Sequence, residues 1–79
     1  MVISPSQCRA ARALLDWSQQ QLATASKVAT KTIVDFEQEN RVPYERTLRD
    51  IRAALEKARV EFIDGDAPGV KLKGKKTRS

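Results

Sequence analysis

The chain has 79 residues with 32% charged and 41% hydrophobic side chains, enough for one small folded domain with a modest core. It has no histidine and one cysteine, Cys8, which excludes an internal disulfide and a Cys/His zinc site and leaves no Cys–His catalytic pair. The net charge of +5 is uneven: acids and bases cancel up to Val70, and Lys71, Lys73, Lys75, Lys76 and Arg78 carry the excess.

Further exclusions follow. No apolar run approaches the roughly 20 residues of a membrane span. The opening MVISPSQCRAAR lacks the order of a secretory signal, and with Cys8 alone and no internal disulfide a reducing cytoplasm is expected. Every carboxylate sits in a stretch already explained by a helix surface, cap or turn. No catalytic or metal-binding constellation is expected, and no cofactor or small-molecule ligand.

Ser4-Pro5-Ser6-Gln7 is a helix start. Ser4 suits the cap, Pro5 the first helical position, and Gln7 reaches back to the cap. Cys8, Ala11, Leu14 and Leu15 then supply an apolar stripe, and Asp16-Trp17 ends the helix. Ser18 and Gln21 repeat the capping pattern. A second helix is predicted over 19–26, with Leu22 and either Ala23 or Ala25 facing inward. After a break at Lys27-Val28, a third helix is predicted from about Thr30 to about Gln38, with Ile33 and Phe36 inward. Pro43 then blocks helical continuation at Val42.

YERTLRDIRAALEKARV carries Leu48, Ile51, Leu55 and Ala58 at helical spacing and is the clearest amphipathic helix in the chain. Its outer face is read as solvated, with pairs such as Arg46–Asp50. Val60 to Ile63 and Val70 to Lys73 alternate about a turn cluster at 64–69 and predict a β-hairpin. An isolated hairpin is marginal in water, so it needs cover from its own domain or from a second chain. The expected organisation is a helical domain over 1–59, a hairpin over 60–73 and a basic tail over 74–79. The fold class is mainly α: four to five helices with a helix-turn-helix, plus the hairpin and tail.

The apolar positions Leu22, Val28, Ile33 and Phe36, with small Ala23 where two helices cross, fit a helix-turn-helix unit. The stretches RAARALLDWSQQQLA and TIVDFEQENRVPYERTL resemble the Cro/phage-repressor (XRE) family of DNA-binding proteins. The resemblance rests on Arg12 ahead of Ser18-Gln19, on Leu22-Ala23, and on Ile33, Glu37, Arg41, Pro43 and Thr47-Leu48. It covers residues 7–58. Five positions depart from the family: Lys27 stands where glycine is usual, Ala29 replaces a Ser or Thr cap, Ser26 replaces an apolar turn residue, and Gln38 and Glu39 stand where Asn and Gly are frequent.

The resemblance implies a sequence-specific regulator of transcription, a small repressor binding double-stranded DNA as a homodimer on an inverted repeat. The third helix enters the major groove. Thr30, Lys31, Val34 and Asp35 are the implied base readers. Gln19, Thr32, Gln38, Asn40 and Arg41 are the implied phosphate contacts. Glu37 is implied to pair with Arg12. Glu37 and Asp35 stand some 200° apart on a helix at about 100° per residue, so they cannot share a face. Phe62, Ile63, Val70 and Leu72 are the expected dimer contact, with the fourth helix as the other option.

Plainer readings stand beside these. Lys31 is simply solvated, Gln19 only completes a helix start, Thr30 only caps, and Trp17 packs at a helix end. Cys8 is read as a core residue. The alternative function is a protein-interaction module, such as the antitoxin half of a toxin–antitoxin pair, whose DNA binding is autoregulatory.

Overall fold

A computed structural model describes residues 2–64 and 68–73. Four helices are followed by a hairpin: α1 Pro5–Leu15, α2 Gln19–Ser26, α3 Thr30–Glu37, α4 Glu45–Lys57, β1 Val60–Ile63 and β2 Gly69–Leu72. The expected basic tail over 74–79 and the hairpin turn at 65–67 lie outside the described residues. None of the described helices is long and apolar enough to cross a membrane.

Local chemistry sets the first two helix starts. The Ser4 hydroxyl accepts from the Gln7 backbone N–H, and the Gln7 side chain accepts in return from the Ser4 N–H. Ser18 and Gln21 form the same reciprocal cap on α2. α3 starts without one: Ala29 occupies its cap position and gives no side-chain hydrogen bond. Thr30 is the first helical residue and does not replace the cap. Tyr44 precedes α4 and also provides no side-chain cap.

The chain leaves every helix through a left-handed residue that is not glycine. These are Asp16, Lys27, Glu39 and Arg59, at φ 61, 62, 62 and 78°. At Lys27 this is the conformation that normally favours glycine. Ser26, just before it, is buried and its hydroxyl donates to the Leu22 carbonyl at 2.8 Å. That bond satisfies a polar group where an apolar one was expected.

All elements feed one core. Cys8 and Ala11 come from α1, Leu22 and Ala23 from α2, Ile33 and Phe36 from α3, and Leu48, Ile51 and Leu55 from α4. Ile3 closes it before α1, and Val60 and Phe62 close it from β1. Truncating Ile33 or Phe36 to alanine is expected to cost about 2–5 kcal/mol through lost burial and a residual cavity.

Two expectations are corrected, and the choice left open between Ala23 and Ala25 is decided. Leu14 is 42% exposed and outside the α1 stripe. It sits about 120° around the helix from Cys8, whereas Ala11 and Leu15 stay within about 60°. Ala23, not Ala25, is the buried alanine of α2. On α4 the observed pairs are Glu45–Arg49 and Arg52–Glu56, both at 3.0 Å, rather than Arg46–Asp50. Glu45 ahead of Arg49 is the better order for the helix dipole. Arg52 is held from other sides too: it donates to the Val2 carbonyl and lies 4.8 Å over the Phe62 ring.

The hairpin is antiparallel, with Val60 opposite Leu72 and Phe62 opposite Val70. β2 packs against α1, and β1 against α4 and α1. Gln7 ties it down. Its Nε2 donates to the carbonyls of Ile63 at 3.4 Å and Gly69 at 3.3 Å, while its Oε1 serves the α1 cap. Of the two sources of cover considered, the hairpin takes the first, its own domain.

Candidate nucleic-acid interface

The C-terminal end of α3 is fixed by one carboxylate. Glu37 is 3% exposed. Arg12 of α1 grips it with Nε to Oε2 at 2.8 Å and Nη2 to Oε1 at 2.7 Å. Gln19, the first residue of α2, donates from Nε2 to Oε1 at 3.0 Å, and the Cys8 thiol donates to Oε2 at 3.1 Å. Arg9 donates to the Glu37 backbone carbonyl, and Arg12 Nη1 reaches the Trp17 carbonyl at 2.9 Å. One side chain therefore joins α1, the start of α2 and the end of α3.

The electrostatics follow from this geometry. Burial alone would raise the Glu37 pKa. Hydrogen bonds from Arg12, Cys8 and Gln19, with the Arg12 charge, outweigh it and hold the carboxyl below its ordinary value. Burial, then the bond to Glu37 and its charge, push the Cys8 thiol far above its usual range. Cys8 is a packed core residue with an inert thiol, as its sequence context suggested.

The inward face of α3 is used up by Ile33, Phe36 and Glu37. Opposite it lie Lys31 and Asp35, with Val34 at the flank, while Thr30, seven residues before Glu37 and so about 20° from it around the helix, stands at the start of the inner side. Lys31 is exposed, and the other three are half-buried. Lys31 Nζ stands 3.4 Å from Asp35 Oδ2, with their side chains 83% and 16% exposed. The lysine end is open to solvent and the single contact is long, so a better partner can open the pair. Asp35 and Glu37 thus separate as expected, one outward and one buried.

The remaining expected contacts fall around α3. Gln38 accepts from the Asn40 side chain at 3.2 Å, and the Asn40 backbone N–H closes on the Asp35 carbonyl at 2.8 Å. Thr32 and Arg41 come together on a groove of about 250 Å³ lined also by Val42, Pro43, Tyr44 and Thr47. Gln19 is the exception in this group, because part of its amide is committed to Glu37 rather than facing outward freely.

The sequence reading missed Cys8, Arg9, Tyr44 and Thr47 as neighbours of these groups. Cys8 had a signal: it lies four residues before Arg12 on one helical face, so both reach the same carboxylate. Tyr44 and Thr47 had none, since only the path of the loop brings them to Thr32.

The residues expected at a dimer contact are divided by the structure. Phe62 is 8% exposed within its own core, and Val70 packs against that core. Ile63 is 41% and Leu72 36% exposed. Cross-strand partners share a face, so Leu72 lies with Val60, Phe62 and Val70, while Ile63 lies on the other side with Gly69. The four residues do not form one patch. Lys71 and Lys73 are exposed, and the other tail cations lie outside the described residues.

Compared with known proteins, the chain matches no family model and no curated protein.

Proposed function

We propose that the chain is a sequence-specific regulator of transcription that binds double-stranded DNA. It acts as a small repressor of the Cro/phage-repressor type, in a bacterial or phage-like cytoplasm, by occupying its operator as a homodimer. The observation that carries this reading is the contrast across α3. Glu37 anchors its inner side to α1 and α2, while its outer side presents Lys31 and Asp35, joined only by a weak exposed pair. A rigid support with an open polar face is what base reading requires.

In the major groove, Lys31 donates to guanine O6 and N7, and Asp35 accepts from cytosine N4. Val34 and the Thr30 methyl meet a thymine methyl. Lys31 leaves Asp35 as it turns to guanine, which frees the carboxylate for cytosine. Thr32, Gln38, Asn40 and Arg41 hold phosphates and set the register. A Gln amide has two N–H donors, so Gln19 gives one to Glu37 and keeps one for a phosphate oxygen. The basic C-terminal residues add sequence-independent attraction.

Selection of bound sites from random DNA tests the reading. An inverted repeat with half-sites about 34 Å apart is expected, with affinity falling steeply as salt rises. Failure to enrich any sequence, or affinity indifferent to salt, counts against it.

A further inference from the structure

We propose that the cup between α3 and α4 seats one sugar–phosphate unit of the DNA backbone, with Tyr44 and Thr47 as phosphate ligands beside Thr32 and Arg41. The inference rests on the DNA reading of the proposed function and adds two residues to it.

The lining comes from separate parts of the chain. Thr32 belongs to α3, Arg41 and Pro43 to the loop, Tyr44 to the position before α4, and Thr47 to the first turn of α4. Their polar groups are of one kind. Three hydroxyls and a guanidinium can all donate, and no acid is among the lining residues. Glu45, the acid next to Tyr44, is turned along α4 to Arg49 at 3.0 Å. Nearby hydrogen bonds run from Asn40 to Gln38 and from Arg49 to Glu45. Among the described residues none takes these three hydroxyls or the Arg41 guanidinium. Free donors without an acid suit the oxygens of a phosphodiester, which accept from each of them.

The walls identify the rest of the ligand. Val42 is 72% and Tyr44 86% exposed, the two most exposed large hydrophobic side chains among those described. Carbon surface beside a phosphate site matches the carbons of a deoxyribose, and covering it removes apolar area from water. The cup holds about 250 Å³, less than the roughly 300–1,000 Å³ of pockets that enclose a whole small molecule. It therefore takes one unit of a longer ligand. The loop is also restrained beforehand: Pro43 has its φ fixed by its ring, and Tyr44 is extended at φ −59° and ψ 150°. Such a loop loses little entropy on docking. Thr32 follows Lys31 on α3, so a backbone unit held here sets the register of Lys31 and Asp35 over the bases.

The test uses the full chain and a duplex obtained by site selection. Tyr44→Phe and Thr47→Val each remove one hydroxyl and little volume, and circular dichroism checks that both fold. Each is expected to weaken binding about tenfold, as for a lost hydrogen bond to a charged group. The loss should be equal on selected and unrelated duplexes, with the selected sequence unchanged, as for a phosphate contact. Phosphates of the duplex are then replaced one at a time by methylphosphonate, which removes the charge. One position per half-site should weaken the wild type and cost the Tyr44→Phe/Thr47→Val double variant much less. Wild-type affinity in either single variant overturns the seat and leaves the DNA reading standing. An equal methylphosphonate cost for the wild type and the double variant at every position does the same. Variants that select a different sequence place these residues on bases and also overturn it. If the wild type binds no duplex, the DNA reading falls and the seat with it.

Discussion

Arg12 holds Glu37 through both carboxylate oxygens, at 2.8 and 2.7 Å, across 25 residues of chain. The side chains are 19% and 2% exposed. Removing one partner leaves a buried charge uncompensated. Arg12→Ala is therefore expected to destabilise the fold by about 3–5 kcal/mol. Replacing both with apolar residues of similar volume should cost less than the sum of the single changes. Denaturant unfolding of the two single variants and the double variant checks this. Additive losses would mean that the pair does not act as a unit.

Acid should weaken the fold through the same carboxylate. The folded-state pKa of Glu37 lies below its ordinary value of 4.5. An unfolded chain thus takes up the proton first as pH falls. The stabilisation is complete above the ordinary value and is lost as pH drops through the lowered one. Glu37→Gln should remove this part of the acid dependence and leave a flatter stability profile below the ordinary value of 4.5. The measurement is unfolding free energy against pH. Identical slopes for the two proteins would show that other carboxylates carry the acid response.

Lys27 sits at φ 62° with its side chain exposed. Lys27→Gly is expected to stabilise by about 1 kcal/mol, since glycine takes this conformation without a clash at Cβ. For a domain of this size that raises Tm by roughly 4–8 °C. Ala29→Asp should add a comparable increment by supplying the missing α3 cap. Thermal unfolding followed by circular dichroism tests both. A lower Tm for Lys27→Gly would mean that the lysine side chain contributes more than its backbone strain removes.

The helices were legible because their signals are local. Ser4 with Gln7, and Ser18 with Gln21, mark two starts through bonds three residues long. Leu48, Ile51 and Leu55 mark the buried face of α4 by spacing alone. The hairpin was legible as strands, but not in its packing. Phe62 looks like an uncovered aromatic until Arg52 and α4 are in place around it. Gln7 shows the limit most clearly. Its capping role is readable within one turn, but its bonds to Ile63 and Gly69 span 56 and 62 residues and depend on how the hairpin docks. In the candidate site, the Arg12–Glu37 pair came from resemblance, and the groove at Thr32 came only from the loop's path.

Asp35 gives the sharpest test of the α3 face. An acid directed at phosphates repels them, so Asp35→Ala should bind non-specific DNA more tightly than the wild type. If Asp35 reads a cytosine, the same change should relax preference at one position of the site by about 1–3 kcal/mol. Affinity and selectivity then move in opposite directions, which loss of a merely structural residue does not produce. Lys31→Ala should lower affinity, and it should reduce the salt slope by about 1 only if Lys31 rests on a phosphate rather than a base. Lys31 is exposed and its 3.4 Å contact with Asp35 is weak, so Lys31→Ala should not disturb folding, and circular dichroism checks that Asp35→Ala, at a side chain 16% exposed, keeps the fold. Site selection repeated with each variant decides the matter. Unchanged selected sites for Asp35→Ala would leave it a solvated partner of Lys31 and remove it from the reading face.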